Sequence, residues 1–242
     1  MPLDKPVESL TQADLAGLIS NGVREDRTLD FKRDLKIETP SEKQEFVKDA
    51  TALANTIGGH IVFGMDEVDG IATEIVPIAG LNLDDEVLRL DSCLRDGAAP
   101  RVPGVKFQRV SVTGGEVLVV RVPKSWTGPH MIKANSKFYQ RASNGGFPMD
   151  VSQIRDAFLN ADSVHDQVRR FRTDRLRVIE DGKAFDGMAG QAAIVLHVCS
   201  LAAFAGKSEI NISKVGKSQQ SLDLLLLSDL GTGRTVATHS RD

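Results

Sequence analysis

An α+β fold with mostly antiparallel strands is what this 242-residue sequence predicts, and three observations carry the prediction. A segment from Pro40 to Ile57 places Phe46, Val47, Ala50, Leu53, Ala54 and Ile57 at helical spacing, which gives one apolar face. Two pairs of apolar segments, 60–78 and 105–122, are each broken by a glycine-containing turn and read as β-hairpins. A further capped helical segment opens at Asp150, after the strands, and leads into a C-terminal helix-plus-strand extension. The expected division is 1–148 for the main domain and 149–242 for the extension.

Composition narrows the function. No apolar run approaches the roughly 18 residues of a membrane span, and Met1-Pro2-Leu3-Asp4-Lys5 lacks the basic-then-apolar pattern of a secretory leader. Cys93 and Cys199 stand alone in apolar segments, as reduced core thiols do. A cytoplasmic protein with no membrane partner is expected. The formal net charge of −3 means that any nucleic-acid surface must be a local basic patch.

Element by element, Thr11 with Asp14 three residues on caps a short lead-in helix. Leu29 and Phe31 alternate with Asp30 and Lys32, the pattern of a half-buried strand. Glu25 and Asp30 are five apart, so a strict strand would put them on opposite faces, and a bend near Asp26 is needed for them to converge. Ser41 with Gln44 reads as the capping box of the main helix. Gly58-Gly59 then stops the helix and starts the strand His60–Gly64, which delivers Asp66 to a sheet edge. The turn Asp66–Gly70 joins that strand to Ile71–Ile78 in the first hairpin. Asp84 is placed as the cap of the next helix, which ends at Gly97. In the second hairpin Glu116–Val122 is almost continuously apolar, which suits a central strand. The loop 123–133 carries the only Trp, and Ser136–Arg141 is a last short strand. Asp150 and Gln153 cap the long helix, which changes character where Arg169, Arg170, Arg172, Arg175 and Arg177 crowd into nine residues. Such a run is ordinarily a solvated helix face, with phosphate binding as the functional alternative. Gln191–Leu201 reads as a further buried strand, and the apolar block Leu222–Leu227 has no evident partner.

Several chemistries are missing. Gly206-Lys207-Ser208 and Gly216-Lys217-Ser218 end like a P-loop, but Leu201 and Asn211 occupy the positions of the required first glycine. Neither zinc spacing nor a glycine-flanked serine nucleophile occurs, and His130 alone of the five histidines falls in a plausibly exposed basic loop. Gly58-Gly59 follows a helix C-terminus, whose partial negative charge repels phosphate, so an ATP-binding reading has the wrong geometry. What remains is acidic. Glu25, Asp30 and Asp66 lie where strands meet loops, and gathered carboxylates need a cation. Mg²⁺ or Mn²⁺ would suit such oxygen ligands and would support phosphodiester cleavage, with Lys32 supplying positive charge to the phosphate. The alternative is that all three are ordinary turn and edge carboxylates.

Four blocks in order resemble one family. Glu25-x-x-x-x-Asp30-Phe31-Lys32, then Ala54-Asn55-Thr56-x-Gly58-Gly59, then Ile61-Val62-Phe63-Gly64-x-Asp66 with Gly70, and then Phe138-Tyr139-x-Arg141-x-Ser143 are similar to the Schlafen AlbA-type domain, from about Glu25 to about Phe147. The resemblance implies a mixed sheet flanked by helices in a protein associated with RNA or DNA. It also implies, for some members, metal-dependent ribonuclease activity through three carboxylates, here Glu25, Asp30 and Asp66. Asp30 is one methylene shorter than the more common glutamate. Other members are labelled transcriptional regulators or ATP-binding proteins, so the family speaks to fold before activity. Family nucleases resemble two such lobes in one chain, and a single copy here implies a homodimer.

Two functions are therefore expected to compete. One is a divalent-metal-dependent endoribonuclease, with Mg²⁺ or Mn²⁺ on Glu25, Asp30 and Asp66, and with Lys32, Lys48, Lys133 and Arg141 on the phosphates of RNA rather than DNA. The other is a non-catalytic DNA- or RNA-binding or transcription-regulatory module that keeps salt-sensitive binding after loss of any carboxylate.

Overall fold

A 3₁₀ turn at Val7–Ser9 precedes α1 (Gln12–Ser20), where the Thr11 N–H donates to the Asp14 carboxylate at 2.9 Å. The structure, a computed structural model, describes residues 3, 5–143 and 145–181, all within the unit 1–191. The expected strand at 191–201, the apolar block 222–227, both P-loop-like tripeptides and Cys199 lie outside the described residues.

Strand β1 (Leu29–Lys32) is followed by α2 (Pro40–Asn55), β2 (Gly58–Phe63), β3 (Met65–Val68) and β4 (Ile71–Ile75). Next come α3 (Leu83–Gly97), β5 (Ala98–Ala99), β6 (Lys106–Val112) and β7 (Gly115–Pro123). The short strands β8 (Met131–Ile132), β9 (Lys137–Ala142) and β10 (Gly145–Pro148) precede the long helix α4 (Val151–Glu180). The main sheet has the order β1-β2-β7-β6, with β1 parallel to β2 and every other pairing antiparallel. A second antiparallel sheet has the order β10-β9-β8-β5, and β3 and β4 form a two-stranded ribbon. The α+β architecture with mixed, mostly antiparallel sheets is therefore the one expected.

The pleat divides the main sheet's side chains between two cores. Ile61, Phe63, Leu118, Val120 and Val122 pack with Phe46, Ala50 and Leu53 of α2 and Leu90 and Leu94 of α3. Leu29, Phe31, Val62, Val117 and Val119 pack on the other side with Leu15 and Leu18 of α1. Each fully buried Leu, Ile, Val or Phe contributes about 1.5–3 kcal/mol relative to exposure. Strand β7 pairs on both edges and buries Val117 to Val120, as its apolar run predicted.

Some local expectations shift. The α2 cap is Thr39, not Ser41. With Pro40 at the first helical position, Thr39 and Glu42 satisfy each other's backbone donors. Asn82 rather than Asp84 caps α3, accepting from the Asp84 N–H at 3.1 Å. The first hairpin is β3–β4, whose first strand is the stretch expected to be the turn, and Asp69 (φ 53°) and Gly70 (φ 76°) make the two-residue reversal. Ile57 is exposed because α2 ends at Asn55.

The Gly58-Gly59 pair has a specific cause. Gly58 has φ +77°, and a Cβ there would stand 2.5 Å from the Lys124 nitrogen. A Cβ on Gly59 would overlap the Thr28 carbonyl oxygen, so only glycine lets β2 start between these two backbones.

Candidate functional site

The site is built on β1. Asp26 folds the chain back on itself: its Oδ1 accepts from the Thr28 N–H at 2.6 Å and the Thr28 hydroxyl at 2.8 Å, and Asp26 bridges Leu29. This is the bend that Glu25 and Asp30 needed. The Glu25 carboxylate then accepts from the Phe31 N–H at 2.6 Å. Burial pushes the Glu25 carboxyl above its ordinary range; the Phe31 bond opposes this and the nearby Asp30 charge adds to it.

Leu29 and Phe31 face one core, so Asp30 and Lys32 face the other, beneath α2. There Asp30 is neutralised twice. Arg141, from β9, donates to Oδ1 at 2.5 Å, and the Lys32 ammonium lies 2.9 Å from Oδ2. The Arg141 side chain is only 1% exposed and also donates to the carbonyls of Leu29 (3.2 Å) and Asp26 (3.3 Å). One guanidinium thereby ties the second sheet to the turn that presents Glu25 and Asp30.

Asp49, on α2, completes the network. Its Oδ2 lies 3.3 Å from the Lys32 ammonium and its Oδ1 3.9 Å from that of Lys48. Burial and the neighbouring Asp30 raise the Asp49 carboxyl to about 6, against the pull of Lys32 and Lys48. Burial alone would lower the Lys32 ammonium, but Asp49 and Asp30 outweigh it and hold that ammonium charged, above the ordinary lysine value. A cavity of about 300 Å³ opens beside it, lined by Lys32, Arg33 and Lys36 and by Asp34, Glu42, Glu45 and Asp49. Cations and carboxylates are nearly balanced there, so its walls favour neither an anion nor a cation.

Asp66 sits apart on β3. It is ion-paired with Arg33, its side chain is 30% exposed, and it also accepts from the Glu67 N–H at 3.1 Å. Glu25, Asp30 and Asp66 therefore each have a protein partner of their own. Among the described residues no group of three or more His, Cys, Asp or Glu side chains is arranged to hold a metal ion. Asp30 already faces a guanidinium and an ammonium, whose charges oppose a divalent ion beside it, while its Oδ2 and that of Asp49 accept no hydrogen bond.

The expected phosphate-binding cations mostly have partners within the domain. Lys32 and Arg141 serve Asp30 and Asp49, and Lys48 pairs with Glu45 at 2.6 Å. Lys133, at the end of β8, is exposed and has no ion pair among the described residues. His130 is fully buried, not exposed. Its Nδ1 donates to the Pro100 carbonyl at 2.8 Å, and burial lowers its pKa, against the pull of that bond. Two residues escaped the sequence reading. Asp49 is three residues after Phe46 and four before Leu53, so a charge in the middle of the apolar face of α2 was the available signal. Asn55 gave none. It holds the second sheet by donating to the carbonyls of His130 (3.0 Å) and Tyr139 (2.9 Å) and accepting from the His130 N–H (2.7 Å).

Residues 25–150, just over half of the chain, match the family described as Schlafen, AlbA_2. The chain belongs to this Schlafen AlbA_2 family. Membership suggests association with nucleic acid. No curated protein matches the chain. Among solved structures it is similar to the DIP2311 protein of Corynebacterium diphtheriae, at 19% identity and a TM-score of 0.40. That match covers 57% of this chain and 26% of the other, so this chain spans about a quarter of that protein's length. It is also similar to the N-terminal domain of a protein from Nitrosomonas europaea described as related to the ATP-dependent DNA helicase RecG. That likeness has 21% identity and a TM-score of 0.41 and covers 54% of this chain and 86% of that domain. Among the described residues no helix is long and apolar enough to cross a membrane.

Proposed function

We propose that this Schlafen AlbA_2 protein is a cytoplasmic nucleic-acid-binding module, with RNA preferred to DNA, in which the carboxylates at the β1 end are structural. The observation that supports it is the buried Asp30–Arg141 pair with Lys32 on the remaining oxygen. A carboxylate in that position organises the fold and leaves an ion little to bind. Lys133, at the end of β8, is the expected cation whose charge stays available to a phosphate. The test is anisotropy of a labelled RNA with the full chain. Binding that weakens with salt and survives Asp66→Ala supports the module, and absence of binding to any RNA or DNA probe overturns it.

A second reading, a Mg²⁺- or Mn²⁺-dependent endoribonuclease using Glu25, Asp30 and Asp66, is favoured by one observation: the turn at Asp26 returns the Glu25 carboxylate to the Phe31 N–H at 2.6 Å, beside the strand that carries Asp30. Cleavage of structured RNA with Mn²⁺ that Asp66→Ala abolishes would establish it in place of the first. A homodimer would supply the second lobe, and light scattering on the full chain tests that stoichiometry.

A further inference from the structure

The cations first expected to meet phosphate are largely neutralised within the domain, which leaves the question of where the contact is made. The long helix α4 holds the densest positive charge in the chain. Its buried and half-buried positions follow a three-four spacing through Ile154, Ala157, Ala161, Val164, Val168 and Phe171. The arginines fall mostly between these positions. Arg169, Arg170, Arg172 and Arg177 are exposed and Arg175 is partly so.

Neutralisation there is slight. Arg169 lies 3.8 Å from Asp166 and Arg177 3.9 Å from Asp174, with the two guanidinium side chains 83% and 70% exposed. Pairs so long and so exposed hold little free energy. Arg170 and Arg172 have no ion pair among the described residues. From Arg169 to Arg177 the helix advances about 12 Å, and a duplex presents one phosphate charge per roughly 1.7 Å of its axis. A duplex segment of that length carries about seven phosphates on its two strands, and each guanidinium can donate two parallel hydrogen bonds to one phosphate.

We propose that the exposed arginine face of α4 is a docking surface for the sugar-phosphate backbone of duplex nucleic acid, read without base specificity. This rests on the nucleic-acid-binding reading above and assigns its main contact to α4 rather than to the β8–β9 end.

The test measures affinity against salt for the full chain on short labelled RNA and DNA duplexes. Three variants are compared: Arg170→Gln/Arg172→Gln/Arg177→Gln, the same three positions changed to Lys, and Lys133→Gln/Lys137→Gln. Loss of three phosphate contacts should reduce the salt slope by about 2.7, near 0.9 per contact, and weaken binding near 0.1 M salt by roughly a hundredfold or more. The lysine variant should keep the wild-type slope, and circular dichroism should show unchanged helix in both. RNA and DNA duplexes should lose affinity alike. A wild-type slope kept by the glutamine variant, or lost only in the Lys133/Lys137 variant, overturns the α4 assignment while the binding module stands. A wild-type slope shallower than about 2.7 overturns it without any variant. Wild-type protein that binds phosphatidylserine vesicles but no nucleic acid overturns both.

Discussion

Replacing Arg141 by Met removes one side chain from β9 and with it the partner of a buried charge. The methionine fills most of the volume but leaves Asp30 Oδ1 without its 2.5 Å donor and the carbonyls of Leu29 and Asp26 without theirs. Asp30 is 4% exposed, so water does not replace the lost bonds. Breaking one side of a buried pair costs about 3–5 kcal/mol. For a domain of this size that lowers Tm by roughly 6–20 °C, at about 2–4 °C per kcal/mol. Lys32 stays within 2.9 Å of the other oxygen, which puts the cost toward the lower end. Urea unfolding followed by circular dichroism measures it, with a lower midpoint and an unchanged slope. Asp30→Asn/Arg141→Met should fall short of the summed single losses by about 2 kcal/mol, because the second change removes the charge that the first left stranded. A loss below about 1 kcal/mol, or strict additivity, would refute the claim that this pair organises the site.

Further outcomes follow from the same geometry. Asp49 is raised to about 6 in the fold, against about 3.9 when unfolded, so its contribution to stability is full below pH 4 and is lost as pH rises to about 6. The stability of Asp49→Asn relative to wild type should therefore increase by roughly 2–3 kcal/mol between pH 4 and 7, and a flat difference would show that Asp49 titrates normally. Gly59→Ala forces a methyl onto the Thr28 carbonyl and should cost about 3 kcal/mol or more. Gly22→Ala, at φ +56° with nothing within 4 Å, should cost only about 1–2 kcal/mol; equal losses would mean that the Thr28 backbone gives way around the methyl. Asp66→Ala breaks a solvent-accessible pair with Arg33 and a surface bond from the Glu67 N–H, and should change stability by less than about 1 kcal/mol.

The elements were legible where local chemistry decides them. The apolar face of α2, the continuous apolar run of β7 and the Asp150–Gln153 box of α4 each require only neighbours in sequence, and each appears in the fold. The bend at Asp26 was legible as a necessity, because strand periodicity kept Glu25 and Asp30 apart without it. The parallel pairing of β1 with β2 and the arrival of Arg141 at Asp30 were not legible from local pattern. The partners are 111 residues apart, and nothing near either position records the contact. The four conspicuous blocks drew attention to carboxylates, yet Asn55, Thr56 and Arg141 within those blocks are the stitches between the two sheets. A motif residue at a strand end reads as chemistry until its partner is known.

The central claim is that Asp30 is satisfied by the protein's own cations. Thermal unfolding of the full chain during titration with Mn²⁺ tests it most directly. An unchanged Tm is the expected result. A saturable rise, near 2.7 kcal/mol or roughly 5–11 °C at a hundred times the dissociation constant, that disappears in Asp30→Asn would contradict it and return these carboxylates to metal chemistry.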